Sequence, residues 1–254
     1  MSAQLAEKPR ESVEITRSID DSYRELIKRH IDDEDFMRNM TAFSRRMHFT
    51  RVLAHWEIFK KVADLPGDIV EVGVYKGETF LTFAKFLEIL CPGDRIKRVI
   101  GFDSFKGLDD FTRHDGGDIS VGNMTGGWNP DGFQSTLASL INLSHQDSFV
   151  PQKERLLMVD GDIRKTATEF IEREPGMRIS LLHLDVDLYE PTMAALQAFY
   201  PKIVNGGIVV LDEYACHEWP GETTALDEYF DGKPPRMNRM GWSGTPSAWF
   251  VKEH

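Results

Sequence analysis

Cysteine is scarce in this chain. The two cysteines, Cys91 and Cys216, have neither the close spacing of a zinc site nor the number needed for a disulfide framework. Such a composition is typical of a reducing compartment, so we expect a cytoplasmic protein.

Long apolar runs and an excess of basic residues are also missing. No stretch approaches the roughly 18 apolar residues that a membrane span requires, and residues 1–10 lack the apolar core of a signal peptide. The chain carries 30 basic against 41 acidic residues, a formal net charge of −11. A phosphate backbone is therefore not an expected ligand. We expect neither a membrane nor a nucleic acid as a partner.

The chain does contain a regular alternation of short apolar runs with helical patterns. Apolar runs that are typical of buried strands occupy residues 69–74, 99–103, 156–160, 179–184, 206–211 and 247–251. Strands that are buried on both faces are characteristic of parallel sheets. The alternation predicts a doubly wound, mostly parallel α/β sheet.

Residues 1–64 precede the first strand and are predicted to be a tail followed by helices. Phe36, Met40, Phe43 and Met47 recur at helical spacing. The segment is predicted to cap the domain formed by residues 65–254. It could also serve as a lid or as an oligomer contact, and we expect a homo-oligomer.

Residues 109–150 interrupt the alternation with a glycine-rich stretch. A long loop inside a compact domain usually has a function. Trp128 and Phe133 favour a substrate lid, and the alternative is a surface excursion without a role.

A glycine turn follows the first strand. Gly73 and Gly77 would allow close approach of a ligand and of a helix, but Tyr75 stands where a dinucleotide fingerprint requires glycine. Glu71 precedes the turn, Asp103 ends the second strand, and residues 160–162 follow the third. An acid, a glycine turn and two further strand-end acids favour S-adenosylmethionine over NAD. The alternative is tight-turn glycines beside solvated acids.

Four carboxylates follow the fourth and fifth strands: Asp185, Asp187, Asp212 and Glu213. The carboxyl ends of parallel strands share one edge, so these groups should meet there. Two carboxylates ~5 Å apart repel by roughly 3 kcal/mol at an effective dielectric constant of ~20. No lysine or arginine occurs in residues 191–200 or 206–221. The sequence therefore predicts a hard divalent cation such as Mg²⁺ at this edge. His183 is expected to be a supporting histidine under the pocket.

Four segments together resemble the macrocin O-methyltransferase family, whose members methylate sugars in natural-product and antibiotic pathways. They are residues 66–77, 101–108, 184–192 and 200–214. The resemblance implies a class I methyltransferase-like (Rossmann-type) fold, the cofactors S-adenosylmethionine and Mg²⁺, and a small-molecule sugar or glycoside substrate.

The resemblance also implies roles for particular residues. Asp185, Asp212 and Glu213 would hold the metal, and Asp187 would act beside Asp185 as the catalytic base. Glu71, Gly73, Asp103 and Ser104 would surround the methyl donor. The neighbouring positions expected to contribute to the donor site are Val74, Tyr75, Gly77, Thr79, Gly161, Asp162 and Asp185.

The chain departs from the family pattern at three places. Val186 replaces a usual glycine, Glu213 replaces a usual aspartate, and residues 162–166 differ at the expected adenine contact. Two other functions stay open. The same site could methylate a phenolic or catechol-type acceptor, or the chain could be a non-catalytic module that binds S-adenosylmethionine.

Overall fold

The computed structural model describes residues 8–30, 32–116 and 125–253. The chain divides into two compact units, Met1–Phe49 and Thr50–His254. The expected boundary was 64/65, whereas the observed division lies at 49/50. The difference arises because the helix that leads to the first strand buries Ala54, Ile58, Phe59 and Val62, and so belongs to the second unit for most of its length.

The first unit is helical, as predicted. Helix α1 spans Lys8–His30 and helix α2 spans Asp33–Phe43. Asp32 caps α2 by accepting a hydrogen bond from the Asp35 N–H at 2.8 Å, and three acidic residues in the first turn match the helix dipole. Arg45 reaches Asp20 of α1 at 2.6 Å.

The second unit contains a six-stranded sheet in the order β3-β2-β1-β4-β5-β6, with only β6 antiparallel to its neighbour. This confirms the predicted doubly wound sheet. In chain order the elements are α3 (Arg46–Val62), β1 (Asp68–Val72), α4 (Glu78–Leu90), β2 (Val99–Asp103), α5 (Gln134–Gln146), β3 (Leu156–Asp160), α6 (Ile163–Arg173), β4 (Ile179–Leu184), α7 (Tyr189–Phe199), β5 (Ile203–Leu211), α8 (Gly221–Tyr229) and β6 (Ala248–Val251).

Apolar side chains cover both faces of the sheet. On one face, α6, α7 and α8 pack Phe170, Phe199 and Leu226 against the strands. On the other face, α3, α4 and α5 contribute Phe59, Phe83 and Leu137. Burial on both faces explains why the strands are continuous apolar runs in the sequence.

Two expected boundaries change. Strand β1 ends at Val72 rather than at residue 74, because the backbone turns away from the sheet at Gly73, where φ is +91°. The insertion at 109–150 is not a loop throughout, since α5 occupies residues 134–146. Gly117 and Gly122 of the glycine-rich stretch lie outside the described residues.

None of the helices in the described ranges is both long enough and apolar enough to cross a membrane.

Candidate functional site

The site lies where the strand order reverses, at the carboxyl ends of β1 and β4. From β1 the chain winds outward through β2 and β3, then returns to place β4 on the other side of β1. In open α/β sheets, ligands bind in the crevice at such a reversal. Here the Asp185 N–H donates to the Val72 carbonyl at 2.9 Å, which brings the glycine turn and the first acid after β4 together.

Gly73 is required by this junction. A Cβ atom at Gly73 would lie 1.8 Å from the Asp185 carbonyl oxygen, a distance no real contact tolerates. The sequence interpretation assigned this glycine to close approach of a ligand. The structure shows that it also allows the chain after β1 to pass against the chain after β4.

Asp103 organises the turn that follows β1. One carboxylate oxygen accepts the backbone N–H groups of Val74 and Tyr75, each at 2.7 Å. The other accepts the Phe105 N–H at 2.6 Å. The carboxylate that was expected to bind a ribose therefore fixes two loops, and Oδ1, which accepts one N–H, keeps capacity for a further donor.

Glu71 and His183 form a buried pair beneath the crevice. The Glu71 Oε1 atom lies 3.3 Å from His183 Nδ1, and both side chains are almost fully buried. Burial, opposed by His183, raises the pKa of Glu71 to about 7. The second oxygen, Oε2, is buried without a hydrogen-bond partner. An orphaned buried acceptor suits a donor group such as the ammonium of an amino-acid moiety.

Arg51 of α3 joins the two acids that follow β4 and β5. Its Nη2 donates to Asp185 Oδ2 and its Nη1 donates to Asp212 Oδ2, both at 2.6 Å. The side chains of Arg51 and Asp212 are only 17% and 5% exposed. Two of the four predicted carboxylates, Asp185 and Asp212, therefore share one cation, and that cation is a guanidinium.

The buried charges shift one another's pKa values. Burial alone would lower the pKa of Arg51, but Asp212 and Asp185 outweigh it and raise that pKa. Burial alone would raise the pKa of Asp212, but Arg51 and His183 hold it below its usual range. Burial also opposes a charged His183, whose pKa is nevertheless raised to about 10 by Asp212 and Glu71. His183 therefore interacts with acids on both neighbouring strands, Glu71 at 3.3 Å and Asp212 at 3.6 Å.

Asp187 lies beside this network in a left-handed backbone conformation, with φ of +60°. Residues other than glycine adopt this conformation rarely, and such strain concentrates at functional sites. Burial, together with Asp185 and Glu213, raises the pKa of Asp187 to about 8. Burial and Asp212 similarly raise the pKa of Glu213 to about 6. Burial and the neighbouring carboxylates therefore disfavour the ionised forms of Asp187 and Glu213.

A buried acid on α8 holds the two acid-bearing loops. Glu222 is fully buried and accepts the Glu213 N–H at 3.0 Å and the Val186 N–H at 3.4 Å. Burial raises its pKa well above the usual range. Glu222 therefore connects the chain after β4 to the chain after β5.

The predicted metal ligands are of the chemical type that a hard divalent cation binds, and their joint role stays a prediction. Asp185, Asp212 and Glu213 offer carboxylate oxygens, which Mg²⁺ prefers. Among the described residues, two groupings of three possible ligands have their ligand atoms within 4.8 Å of one another, and both contain His183: one with His55 and Asp212, the other with Glu71 and Asp185. Glu213 is not part of either grouping, so its role as a ligand stays a prediction.

The other predicted residues surround the glycine turn. The Thr79 hydroxyl lies 3.4 Å from Arg51 Nη2, and the Ser104 hydroxyl accepts the Lys106 N–H at 3.3 Å. Gly77, with φ of +86°, lets α5 pack closely. Asp162 caps α6 and pairs with Arg164 at 2.8 Å, so both of its oxygens are engaged near the expected adenine contact.

Each of the two predicted lid aromatics contacts a residue of this turn. Trp128 contacts the Tyr75 ring edge-on, with ring centroids 5.7 Å apart, and is 57% exposed. The Phe133 ring centroid lies 5.7 Å from the Lys76 ammonium. Their role as a substrate lid stays a prediction.

Sequence reasoning missed three residues of the site: Arg51, Glu222 and His55. His55 is buried against His183, with ring centroids 4.8 Å apart, and neither of its nitrogens has a hydrogen-bond partner. Arg51 precedes Asp185 by 134 residues, so no local pattern links them. Glu222 is not part of any sequence motif that would single it out.

Several known proteins share this fold and parts of this sequence. The macrocin O-methyltransferase family (TylF) matches residues 147–234. The crystal structure of the calicheamicin methyltransferase CalS11 matches with a TM-score of 0.82 and 29% identity, over 91% of this chain and 90% of that chain. An apo structure of CalS11, described as a TDP-rhamnose 3'-O-methyltransferase, gives a TM-score of 0.75 at 28% identity over 91% of each chain.

Curated relatives match over shorter spans. A tetracenomycin rhamnosyl 4'-O-methyltransferase of Streptomyces olivaceus is 29% identical over 59% of this chain and 54% of its own length. The demethyldecarbamoylnovobiocin O-methyltransferase of Streptomyces niveus is 28% identical over 65% of this chain and 59% of its own length. The chain thus spans little more than half the length of the curated relatives it matches.

The sheet order, the crevice and these similarities define a protein with the class I methyltransferase fold. Within that class, the chain is similar to the macrocin O-methyltransferase family over residues 147–234 and to the calicheamicin methyltransferase CalS11 over most of its length.

Removal of the Glu222 carboxyl should destabilise the protein. Glu222→Ala leaves two backbone N–H groups unpaired, so we expect a loss of about 3 kcal/mol in the free energy of unfolding. Glu222→Gln keeps one acceptor oxygen for the stronger bond to the Glu213 N–H and should lose about 1 kcal/mol. Urea unfolding measures both, with Glu218→Ala as an exposed control on the same segment. Equal stabilities of Glu222→Ala and the control would contradict this role.

Proposed function

We propose that the protein is an S-adenosylmethionine-dependent O-methyltransferase that methylates a sugar hydroxyl of a natural-product glycoside or of an activated sugar. The observation that carries this proposal is the convergence of Asp185 and Asp212 on one cation position, directly beside the glycine turn at the strand-order reversal. A methyl-donor pocket at the glycine turn and an acceptor pocket at Asp185 and Asp212 would therefore lie side by side.

The similarities favour a sugar as the acceptor. Two of the relatives that match are named for a rhamnosyl group and for TDP-rhamnose. We extend that acceptor class to this chain. The aglycone, if there is one, would be a small molecule held near the segment of Trp128.

Residues of the donor site would position the methyl group. Bound S-adenosylmethionine would supply that group as an electrophilic sulfonium methyl. Glu71 offers its unpaired oxygen to the amino group, and Asp103 holds the turn so that the backbone after β1 is fixed. Gly161 and Asp162 border the site at the end of β3. Fixed orientation of the two reactants is the main contribution to rate in such a transfer.

Residues of the acceptor site would activate the hydroxyl. Asp185, Asp212 and Glu213 would hold a divalent cation, which supplies Lewis acidity that lowers the pKa of an acceptor hydroxyl. A cation held by the neighbouring acids would favour the ionised form of Asp187. Asp187 would then accept the hydroxyl proton as the methyl group passes from the donor sulfur to the hydroxyl oxygen. The products would be the methyl ether, S-adenosylhomocysteine and the protonated Asp187 side chain.

A second candidate is methylation of a phenolic or catechol-type acceptor. The exposed Trp128 ring beside Tyr75 favours it, because an aromatic acceptor could stack there. The two candidates differ only in the acceptor, so one assay separates them.

The activity and its metal dependence can be tested together. Incubation with isotopically labelled donor and a pool of glycosides and catechols should give labelled sugar ethers, detected by mass spectrometry. EDTA should abolish the product, and Mg²⁺ should restore it. Asp185→Ala and Asp212→Ala should reduce turnover by at least about a thousandfold. Full turnover in EDTA would exclude the metal role, and labelled catechols alone would favour the second candidate.

Asp187→Asn tests the proposed base. Asparagine tolerates the left-handed conformation, so the backbone should be preserved. We expect kcat to fall by about 10²–10⁴-fold with donor affinity unchanged, as judged by calorimetry. Asp231→Asn is the matched control, since Asp231 also has positive φ but is exposed after α8. Unchanged kcat in Asp187→Asn would remove the residue as the base.

We also propose that the protein self-associates through α1 and α2. These helices expose large apolar side chains, among them Ile15, Leu26 and Met37 at 55%, 55% and 77%. Single exposed apolar residues are ordinary, but a series along two helices is typical of an interface. Sedimentation should show an oligomer that Leu26→Glu dissociates, whereas Ile96→Glu, at an isolated exposed site, should not. A monomeric wild type would refute this proposal.

A further inference from the structure

We propose that Arg51 is a built-in counter-cation for the acids at the crevice: it occupies the position of the divalent cation in the metal-free protein and must withdraw toward Glu78 before a metal can bind. This inference rests on the proposed metal-dependent function. Arg51, on α3, would thus control the affinity of this site for the metal.

The guanidinium and a metal ion would use the same oxygen atoms. Arg51 binds Oδ2 of both Asp185 and Asp212 at 2.6 Å. The other Asp212 oxygen, Oδ1, is buried and lies 3.6 Å from His183 Nε2, so it faces inward. A Mg²⁺ ion binds carboxylate oxygens at about 2.1 Å and repels a neighbouring positive charge. Arg51 and the metal therefore exclude each other from these oxygens.

The surroundings of Arg51 hold it at this position in the metal-free protein. Nη1 also donates to the Thr245 hydroxyl at 2.7 Å. Two charge-assisted hydrogen bonds to largely buried carboxylates relieve the repulsion between Asp185 and Asp212. A buried acid pair without Arg51 would have to protonate or find another cation.

Glu78 provides a second anionic partner outside the acid pair. Its Oε2 lies 3.3 Å from the Arg51 Nε, and its side chain is 57% exposed. Because Nε is closer to the backbone than the two Nη atoms, the contact with Glu78 can persist while the Nη groups leave the carboxylates. Arg51 can therefore leave the two carboxylates and still keep Glu78 as an ionic partner.

Competition of this kind reduces the apparent affinity for the metal. Metal can bind only the fraction of molecules in which Arg51 has withdrawn, and the apparent dissociation constant increases by the inverse of that fraction. Substitution of Arg51 by an uncharged residue of similar length should remove the competition. If Arg51 were instead needed to orient the carboxylates, the same substitution should weaken metal binding.

The chain contains a matched control. Arg98 also bridges two acids, Asp68 at 2.7 Å and Glu174 at 2.6 Å, and its side chain is 23% exposed. This pair lies at the start of β1, at the opposite end of the sheet from the crevice. Arg98→Met therefore removes a comparable buried ion pair without approaching the proposed metal ligands.

The experiment is a calorimetric titration of Mn²⁺ into the full-length protein, without donor or acceptor. Arg51→Met should bind Mn²⁺ at least about tenfold more tightly than the wild type, and Arg98→Met should bind it with unchanged affinity. In EDTA, Arg51→Met should melt at a lower temperature than the wild type. Saturating Mn²⁺ should then raise its melting temperature by more than that of the wild type.

The other results of the titration distinguish failure of this inference from failure of the proposed metal site. Equal or weaker Mn²⁺ binding by Arg51→Met, with binding by the wild type, would overturn the inference and leave the metal site intact. Absence of binding by both proteins would overturn the metal site and the inference with it. If Arg51→Met does not fold, Thr245→Val tests the same idea, because it removes one contact that retains the guanidinium. A folded Thr245→Val should gain about two- to threefold in affinity, and no gain would overturn the inference.

Discussion

Burial of negative charge is the constraint on which the crevice depends. Glu71, Asp185 and Asp212 lie on or follow three adjacent strands, and Glu71 and Asp212 are almost fully buried. Arg51 bridges Asp185 and Asp212, and His183 lies between Glu71 and Asp212. Because an isolated buried carboxylate is far more costly than a paired one, the positions of these two basic residues decide which acids stay ionised.

The acids of the crevice are of two kinds, which differ in whether their hydrogen-bond donors are backbone N–H groups or a side chain. Asp103 and Glu222 accept backbone N–H groups and thereby fix the loops after β1, β4 and β5. Asp185 and Asp212 accept from a side chain, the guanidinium of Arg51. Only the second kind can exchange partners without breaking the fold, so binding chemistry is expected there. This distinction separates positioning acids from ligands, although both are simply strand-end or helix acids in the sequence.

The connection between the two halves of the site is direct. The chain after β4 passes against Gly73 at the end of β1, and His183 of β4 pairs with Glu71 of β1. His183 also faces Asp212 of β5 at 3.6 Å. The acid proposed for the donor and an acid proposed for the metal therefore share one histidine. A change of charge on either side would be felt on the other through this ring.

The sequence by itself determined the sheet, because strands buried on both faces leave apolar runs that helical periods separate. It also placed Asp185, Asp187, Asp212 and Glu213 at one edge, since all parallel strands end on the same side. It could not find Arg51, which reaches Asp185 from 134 residues away, or Glu222, which accepts the backbone N–H groups of Val186 and Glu213 from α8. Nor could it show that Gly73 serves backbone contact with Asp185. Only tertiary packing decides such contacts, because they depend on where helices lie on the sheet. The tertiary structure thus supplied the charge that balances the acids, while the sequence supplied the acids.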